Sequence, residues 1–223
     1  MGARDWEPFT IGGDTYLAVA NSHNDTTPNI NSKVYRWNGS AFHWRCRAFL
    51  RNQTPDWESF VIGGDTYLAV ANFNDATTQQ LISRIYRWNG SQFTEVQAIS
   101  TNGAYDWEPF TIGNDTYLAL TQHYSAGNYN QSSRIFRWNG SSFIEIQTIP
   151  THGATDWESF TIGSDTYLAV ANWYDGSTYG LNSIIYRWNG SAFVEFQTIP
   201  TVGGFDWHAF TIDNEKLPGV SQS

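Results

Sequence analysis

Acidic and apolar side chains alternate from the start of the chain. Asp5, Glu7, Phe9 and Ile11 fall on one side of an extended backbone, and Trp6, Pro8 and Thr10 on the other. A period of two predicts a β-strand over residues 5–11. Gly12-Gly13-Asp14 then signals a tight turn, and residues 15–20, rich in β-branched and apolar side chains, predict a second strand. Residues 21–32 are polar and predict a loop. Residues 33–37 predict a third strand, closed by the Asn38-Gly39 hairpin signal, and a fourth is predicted over about residues 42–49. Nowhere does the pattern take on a helical period.

The whole pattern recurs. The phrase Asp-Trp-Glu-x-Phe opens at Asp5, Asp56, Asp106 and Asp156 and returns as Asp-Trp-His-Ala-Phe at Asp206, giving spacings of 51, 50, 50 and 50 residues. The longer first spacing predicts a bulge in the first copy of the fourth strand, near residues 44–46. Four strands in each unit of about 50 residues predict a propeller blade. The expected fold class is therefore all-β: one β-propeller-type repeat domain over residues 1–223, with four full four-stranded blades (5–55, 56–105, 106–155, 156–205) and a partial fifth repeat (206–223). Trp6, Trp57, Trp107, Trp157 and Trp207 in the first strands, with Trp37, Trp88, Trp138 and Trp188 in the third, are the expected packing between blades. In the last repeat Pro218 and Gly219 replace Leu and Ala, which predicts a damaged edge strand. An open arc of blades would leave apolar faces uncovered and favour self-association.

Four segments carry a family likeness: Asp-Trp-Glu-x-Phe-Thr-Ile-Gly, Thr-Tyr-Leu-Ala-Val-Ala-Asn, Ile-Tyr-Arg-Trp-Asn-Gly and Phe-x-Glu-x-Gln-x-Ile-Pro. Together they resemble the EAR repeat, also called EPTP, of extracellular proteins with epilepsy or hearing-loss associations. The resemblance extends over almost the whole chain, four times over. It implies a β-propeller of about seven blades, extracellular or secreted, serving adhesion or receptor recognition without catalysis. Seven such units need about 350 residues, more than the 223 here.

Charge narrows the partners. The formal net charge is −9, and the twelve Lys and Arg residues are scattered singly, so no basic stripe exists to neutralise nucleic acid or an anionic membrane. No apolar run approaches the roughly 20 residues that cross a bilayer, so membrane insertion is not expected, and Met-Gly-Ala-Arg-Asp-Trp lacks the apolar core of a secretion signal. Cys46 is the only cysteine, which excludes an internal disulfide or a cysteine zinc cluster and leaves a buried filler as the expected role.

The candidate chemistry is acidic. Asp5, Asp56, Asp106, Asp156 and Asp206 recur in register, followed by Glu7, Glu58, Glu108 and Glu158. If the first strand is innermost, these carboxylates converge on a central channel, where Ca²⁺ is the cofactor they would hold on the five aspartates. The competing reading pairs them with Arg36, Arg87, Arg137 and Arg187, also once per repeat. Asp14, Asp65, Asp115 and Asp165 lie in Gly-x-Asp turns and are expected to bond local amides. Paired carboxylates can serve glycoside hydrolysis, but an active site is one asymmetric constellation, whereas these acids recur as scaffold does. The five histidines fall at different repeat positions, so no enzyme is expected.

Binding then belongs where repeats differ, in the loops between second and third strands. Phe73, His123, Tyr124, Trp173 and Tyr174 are the expected contact residues, aromatic side chains beside Asn, Asp and Ser. The alternative is that these rings fold down over the blades as satellite core. The sequence is thus read as a recognition or adhesion module binding a receptor-type protein or a glycan at a cell surface. A multivalent lectin is the main alternative, and an interaction fragment of a larger exported protein the second.

Overall fold

The computed structural model describes residues 2–23, 32–47, 54–75, 77–212 and 215–222. They form two compact units, Met1–Ala104 and Tyr105–Ser223. The first unit holds two sheets: β1 (Gly2–Ile11), β2 (Asp14–His23), β3 (Lys33–Trp37) and β4 (Phe42–Arg47), then β5 (Trp57–Ile62), β6 (Asp65–Val70), β7 (Gln80–Trp88) and β8 (Phe93–Asn102). Strand β9 (Ala104–Ile112) opens the next sheet, completed by β10 (Asp115–Gln122), β11 (Ser132–Trp138) and β12 (Phe143–Pro150). A further sheet contains β13 (Ala154–Ile162), β14 (Asp165–Asn172), β15 (Gly180–Trp188) and β16 (Phe193–Val202), and β17 (Gly204–Ile212) pairs with β18 (Glu215–Gln222). Every four-stranded sheet is a meander in chain order, as the turn signals require.

Within each unit, neighbouring sheets stack face to face. Tyr67, Leu68, Ala69, Val70 and Ala71 are all buried, so the alternation legible in the first strand disappears in the second. Small and large residues interlock between sheets. Trp57 shares a core with Ala18 and Ala20, Trp157 with Ala119, and Trp207 with Ala169 and Ala171. The indole rings of Trp57, Trp107, Trp157 and Trp207 are only 0–2% exposed, whereas Trp6, in the first sheet, is 57% exposed. A Phe–Tyr stack repeats within the blades: Phe9 on Tyr16, Phe60 on Tyr67, Phe110 on Tyr117 and Phe160 on Tyr167, at 5.3–5.5 Å.

Three expectations need correction. The fourth-strand bulge is general rather than peculiar to the first copy. Val34 pairs with Cys46 while Tyr35 pairs with Trp44, and the same skip makes Val96, Ile146 and Phe196 the bulged residues later. It therefore cannot explain the 51-residue spacing. Cys46 stands ten residues before Asp56, whereas Gln97, Gln147 and Gln197 stand nine before the next Asp, so the added residue lies between Cys46 and Asp56. The last strand is also unbroken: β18 pairs along β17, with Pro218 opposite Ala209 and Gly219 opposite His208. Among the described residues its outer edge bonds no further strand in this sheet, so proline is tolerated there. Finally, third strands start earlier than the pattern suggested, at Gln80 and Gly180 in the second and fourth repeats. Most of the first inter-strand loop and the Cys46 side chain lie outside the described residues.

Candidate functional site

The recurrent acids turn sideways, toward the adjacent sheet. The first strand is the edge of its meander, so alternate backbone N–H groups on it have no ladder partner. Carboxylates from the preceding repeat supply the missing acceptors. Trp57 N–H donates to Asp5 Oδ2 at 3.2 Å, and Ser59 donates to Glu7 Oε1 from its backbone at 3.2 Å and its hydroxyl at 2.5 Å. In the second unit Trp157 N–H donates to Asp106 (2.9 Å), Ser159 N–H to Glu108 (2.8 Å), Trp207 N–H to Asp156 (2.7 Å) and Ala209 N–H to Glu158 (2.8 Å). Side chains two apart on one strand have the same pitch as edge amides two apart on the next, which is why the phrase reads Asp-x-Glu.

This strap is electrostatically tense. Burial pushes the Asp156 carboxyl well above the ordinary aspartate range; the Trp207 N–H opposes that, and the charges of Asp206, Glu108 and Glu158 add to it. Burial also raises Asp5, against bonds from the Trp6 and Trp57 amides, and raises Glu7 against the bonds from Ser59. Asp206 is raised by burial too, with His208 opposing. A calcium ion on Asp5, Asp106 or Asp156 would compete with strand amides for these oxygens. Among the described residues no group of three or more His, Cys, Asp or Glu side chains is arranged to hold a metal.

The arginine pairing expected for these acids is not found. Arg36, Arg87, Arg137 and Arg187 bind the turn aspartates instead: Asp14 at 2.6 Å, Asp65 at 2.5 Å, Asp115 at 2.7 Å and Asp165 at 2.8 Å. Strand pairing explains this, because Tyr16 sits opposite Arg36, just past the turn. The turn aspartates are thus ion-paired rather than only capping local amides. Beside two of these pairs lie equivalent open grooves of about 570 Å³. One is lined by Asp14, Arg36, Trp37 and Asn38, the other by Asp165, Arg187, Trp188 and Asn189.

A meander places the loops between second and third strands at the opposite end from these turns. Their bases are alike in every repeat. The backbone N–H of Asn21, Asn72, Gln122 and Asn172 donates to the hydroxyl of Ser32, Ser83, Ser133 and Ser183, eleven residues on each time. The last three serines contact Thr101, Thr151 and Thr201 at 2.8–3.0 Å. Buried and mutually bonded, these groups fix the loop base and leave its middle variable. Tips repeat in part as well: Asp75 Oδ1 accepts from Thr77 and Thr78, and Asp175 Oδ1 from Ser177 and Thr178. Those bonds, from Thr178 first and then Ser177, hold the Asp175 carboxyl below the usual range.

In the second unit this end carries a continuous aromatic cluster. Tyr129 contacts Tyr124 (4.6 Å), Tyr174 (5.0 Å), His123 (5.6 Å) and Trp173 (6.0 Å), and Tyr179 contacts Tyr174 (4.5 Å) and Trp173 (5.2 Å). Tyr105 joins through His123 at 5.0 Å and meets Phe205 edge-on at 6.2 Å. Burial, then the neighbouring Tyr124, Tyr179 and Tyr174, raises the Tyr129 hydroxyl. The cluster is stitched by polar bonds: His152 Nδ1 donates to Asn130 Oδ1 at 2.5 Å, and Asn130 Nδ2 donates to the Asp175 carbonyl.

Four of the five expected contact residues, His123, Tyr124, Trp173 and Tyr174, therefore meet in one surface. Phe73 belongs to the first unit. His123 is satellite core rather than a contact: it is 7% exposed, and its Nδ1 donates to the Gly153 carbonyl at 3.0 Å. Tyr124, Trp173 and Tyr174 are half-buried, while Tyr179 and Phe205 are 46% and 41% exposed. The pattern missed Tyr129, Tyr179, Tyr105 and Phe205. A signal existed for the last two, since each precedes the repeated Asp. There the first strand bulges, with Ala154 opposite Asn172 but Asp156 opposite Ala171, and the same skip falls at Phe205.

Stacked meanders joined by carboxylate straps define a β-propeller-type repeat protein. The chain belongs to the EPTP domain family, whose domain matches residues 1–38, 52–89, 92–139, 142–189 and 192–217. The last three matches begin at a fourth strand, so the family unit straddles two sheets. Two relatives share the name thrombospondin-type laminin G domain and EAR repeat-containing protein. The Mus musculus protein is 40% identical over 87 residues, covering 39% of this chain and 13% of the relative. The Homo sapiens protein is 39% identical over 105 residues, covering 46% and 16%. The chain thus spans only a small part of their length. Among solved structures, a Penicillium chrysogenum alpha-L-arabinanase complexed with arabinobiose aligns over 99% of this chain and 75% of its own, with TM-score 0.62 and 12% identity. An alpha-L-arabinofuranosidase from Lactobacillus brevis covers 89% and 73%, with TM-score 0.56 and 12% identity. At these identities the likeness shows the fold alone. Among the described residues no helix is long and apolar enough to cross a membrane.

Proposed function

We propose that this chain is a non-catalytic, extracellular recognition module that binds a protein ligand through the loop end of its second unit. The observation that carries this reading is the aromatic cluster of Tyr124, Tyr129, Trp173, Tyr174 and Tyr179, built on loops whose bases are fixed by identical polar networks. Half-exposed Tyr and Trp on a rigid scaffold are suited to protein contact, because they bury large area at small entropic cost. Use of the recurrent carboxylates as strand acceptors supports a scaffold role for them rather than acid–base chemistry.

A second reading has its own observation. The equivalent grooves beside Trp37 and Trp188 would offer repeated weak sites for sugars, each with an aromatic ring and an Arg–Asp pair, as a multivalent lectin requires. Binding to purified cell-surface ectodomains and to a glycan array, with and without Tyr174→Ala and Tyr179→Ala together, separates the two. The first reading expects saturable binding to an ectodomain that the double substitution abolishes. Glycan binding indifferent to that substitution would overturn it.

A further inference from the structure

The chemistry of the loop end specifies its ligand further, and this inference rests on the recognition reading above. Residues 122–133, 150–156, 172–183 and 200–206, which build that end of the second unit, contain no Lys or Arg. They do contain Asp175 and Asp206, besides Asp156, which is engaged as an interior acceptor for Trp207. The arginines of this unit are engaged elsewhere: Arg137 and Arg187 with Asp115 and Asp165 at the turn end, and Arg134 with Glu145 on the outer strand β12. The surface is therefore aromatic and acidic, with no Lys or Arg from these segments and with His152 as the basic neighbour of Asp175.

Asp175 keeps its charge because its Oδ1 accepts three bonds from Ser177 and Thr178, and it neighbours Tyr174 in a cluster where Tyr174 and Tyr179 lie 4.5 Å apart. Aromatic faces attract a cation through the ring quadrupole, and a nearby carboxylate adds to the attraction. A planar guanidinium can stack on such rings and still donate to phenolic oxygens and a carboxylate, which an ammonium does less well.

We propose that the surface around Tyr124, Tyr129, Trp173, Tyr174, Tyr179 and Asp175 recognises an arginine side chain presented by an extended, basic segment of a protein partner. The guanidinium lies on the Tyr174–Tyr179 rings, and Asp175 steers the segment to them.

The test uses the full chain and a short acetylated peptide of alternating Gly and Arg, compared with the same peptide carrying citrulline, which keeps the shape and loses the charge. Binding is followed by tryptophan fluorescence and by calorimetry. Saturable binding of the arginine peptide is expected, weaker by about tenfold with citrulline, the scale of one or two cation–π contacts. Raising salt from about 50 to 300 mM should weaken it further. Asp175→Asn keeps the turn acceptor and removes the charge, so it should reduce affinity several-fold while leaving the near-UV dichroism of the aromatic cluster unchanged. Tyr174→Leu with Tyr179→Leu should abolish binding. Equal affinity for arginine and citrulline peptides, or no binding of either, overturns the proposal. If the peptides fail while the tyrosine substitutions still abolish binding to an ectodomain, the recognition reading stands and only the arginine assignment falls.

Discussion

Replacing Asp156 by Asn and by Ala separates its two roles, as strap and as buried charge. Both substitutions remove the negative charge beside Asp206, Glu108 and Glu158, but only Asn keeps an oxygen for the Trp207 N–H, now 2.7 Å from Asp156. The difference between them isolates the acceptor. A buried amide left without one costs about 1–3 kcal/mol. At about 4 °C per kcal/mol for a unit of this size, the Ala variant should melt about 4–12 °C below the Asn variant. Circular dichroism melts at neutral pH are sufficient. Relief of repulsion should leave Asp156→Asn at least as stable as the parent. The pH dependence supplies the sign. Because the folded carboxyls of Asp156, Asp5, Glu7 and Asp206 bind protons more tightly than the unfolded chain, the folded state holds extra protons above the ordinary values of 3.8 and 4.5. Stability from these groups is greatest below that window and falls as pH rises through it. Asp175 and Asp75, held low, lose their contribution only below 3.8. The parent should therefore melt higher near pH 5 than pH 7, and both variants should show a shallower slope. Equal melting of the Asn and Ala variants, or a parent slope of opposite sign, would refute the strap.

Trp157→Ala should cost about 3–5 kcal/mol in a denaturant melt, because it empties a core between two sheets; a loss under about 1 kcal/mol would show that the sheets do not depend on it. Gly153→Ala forces a side chain at φ +52° and puts a Cβ 2.6 Å from the Tyr174 carbonyl, so near-UV dichroism of the aromatic cluster should change and ectodomain binding should fall. Millimolar calcium and a chelator should give the same melting temperature, since the oxygens of Asp5, Asp106 and Asp156 already accept strand amides; a calcium-dependent rise would place an ion there. Arg187→Gln breaks only a solvent-exposed pair with Asp165 and should leave the melt unchanged.

The fold was legible because alternation, Gly-x-Asp turns and a fixed repeat length all point to one meander. Asp5, Glu7 and Phe9 on one face against Trp6 and Pro8 on the other already describe how a first strand faces its two neighbours. The partner of each acid was not legible, since the acceptor–amide match joins residues about 50 apart through stacking that no local pattern encodes. Asp14 and Arg36 were misassigned for a related reason: their pairing follows from β2–β3 register. In the loops, Trp173, Tyr174 and Tyr124 stood out by type, whereas Tyr179 and Tyr105 become part of the site only when blades are packed.

Amide hydrogen exchange resolved at single residues addresses the strap most directly. Trp57, Ser59, Trp157, Ser159, Trp207 and Ala209 face away from any strand ladder, yet each should exchange as slowly as the ladder amides of β6 and β14, with Trp207 accelerating in Asp156→Ala and not in Asp156→Asn. Rapid exchange at these six positions in the parent would mean that the repeated acids do not bind the blades together.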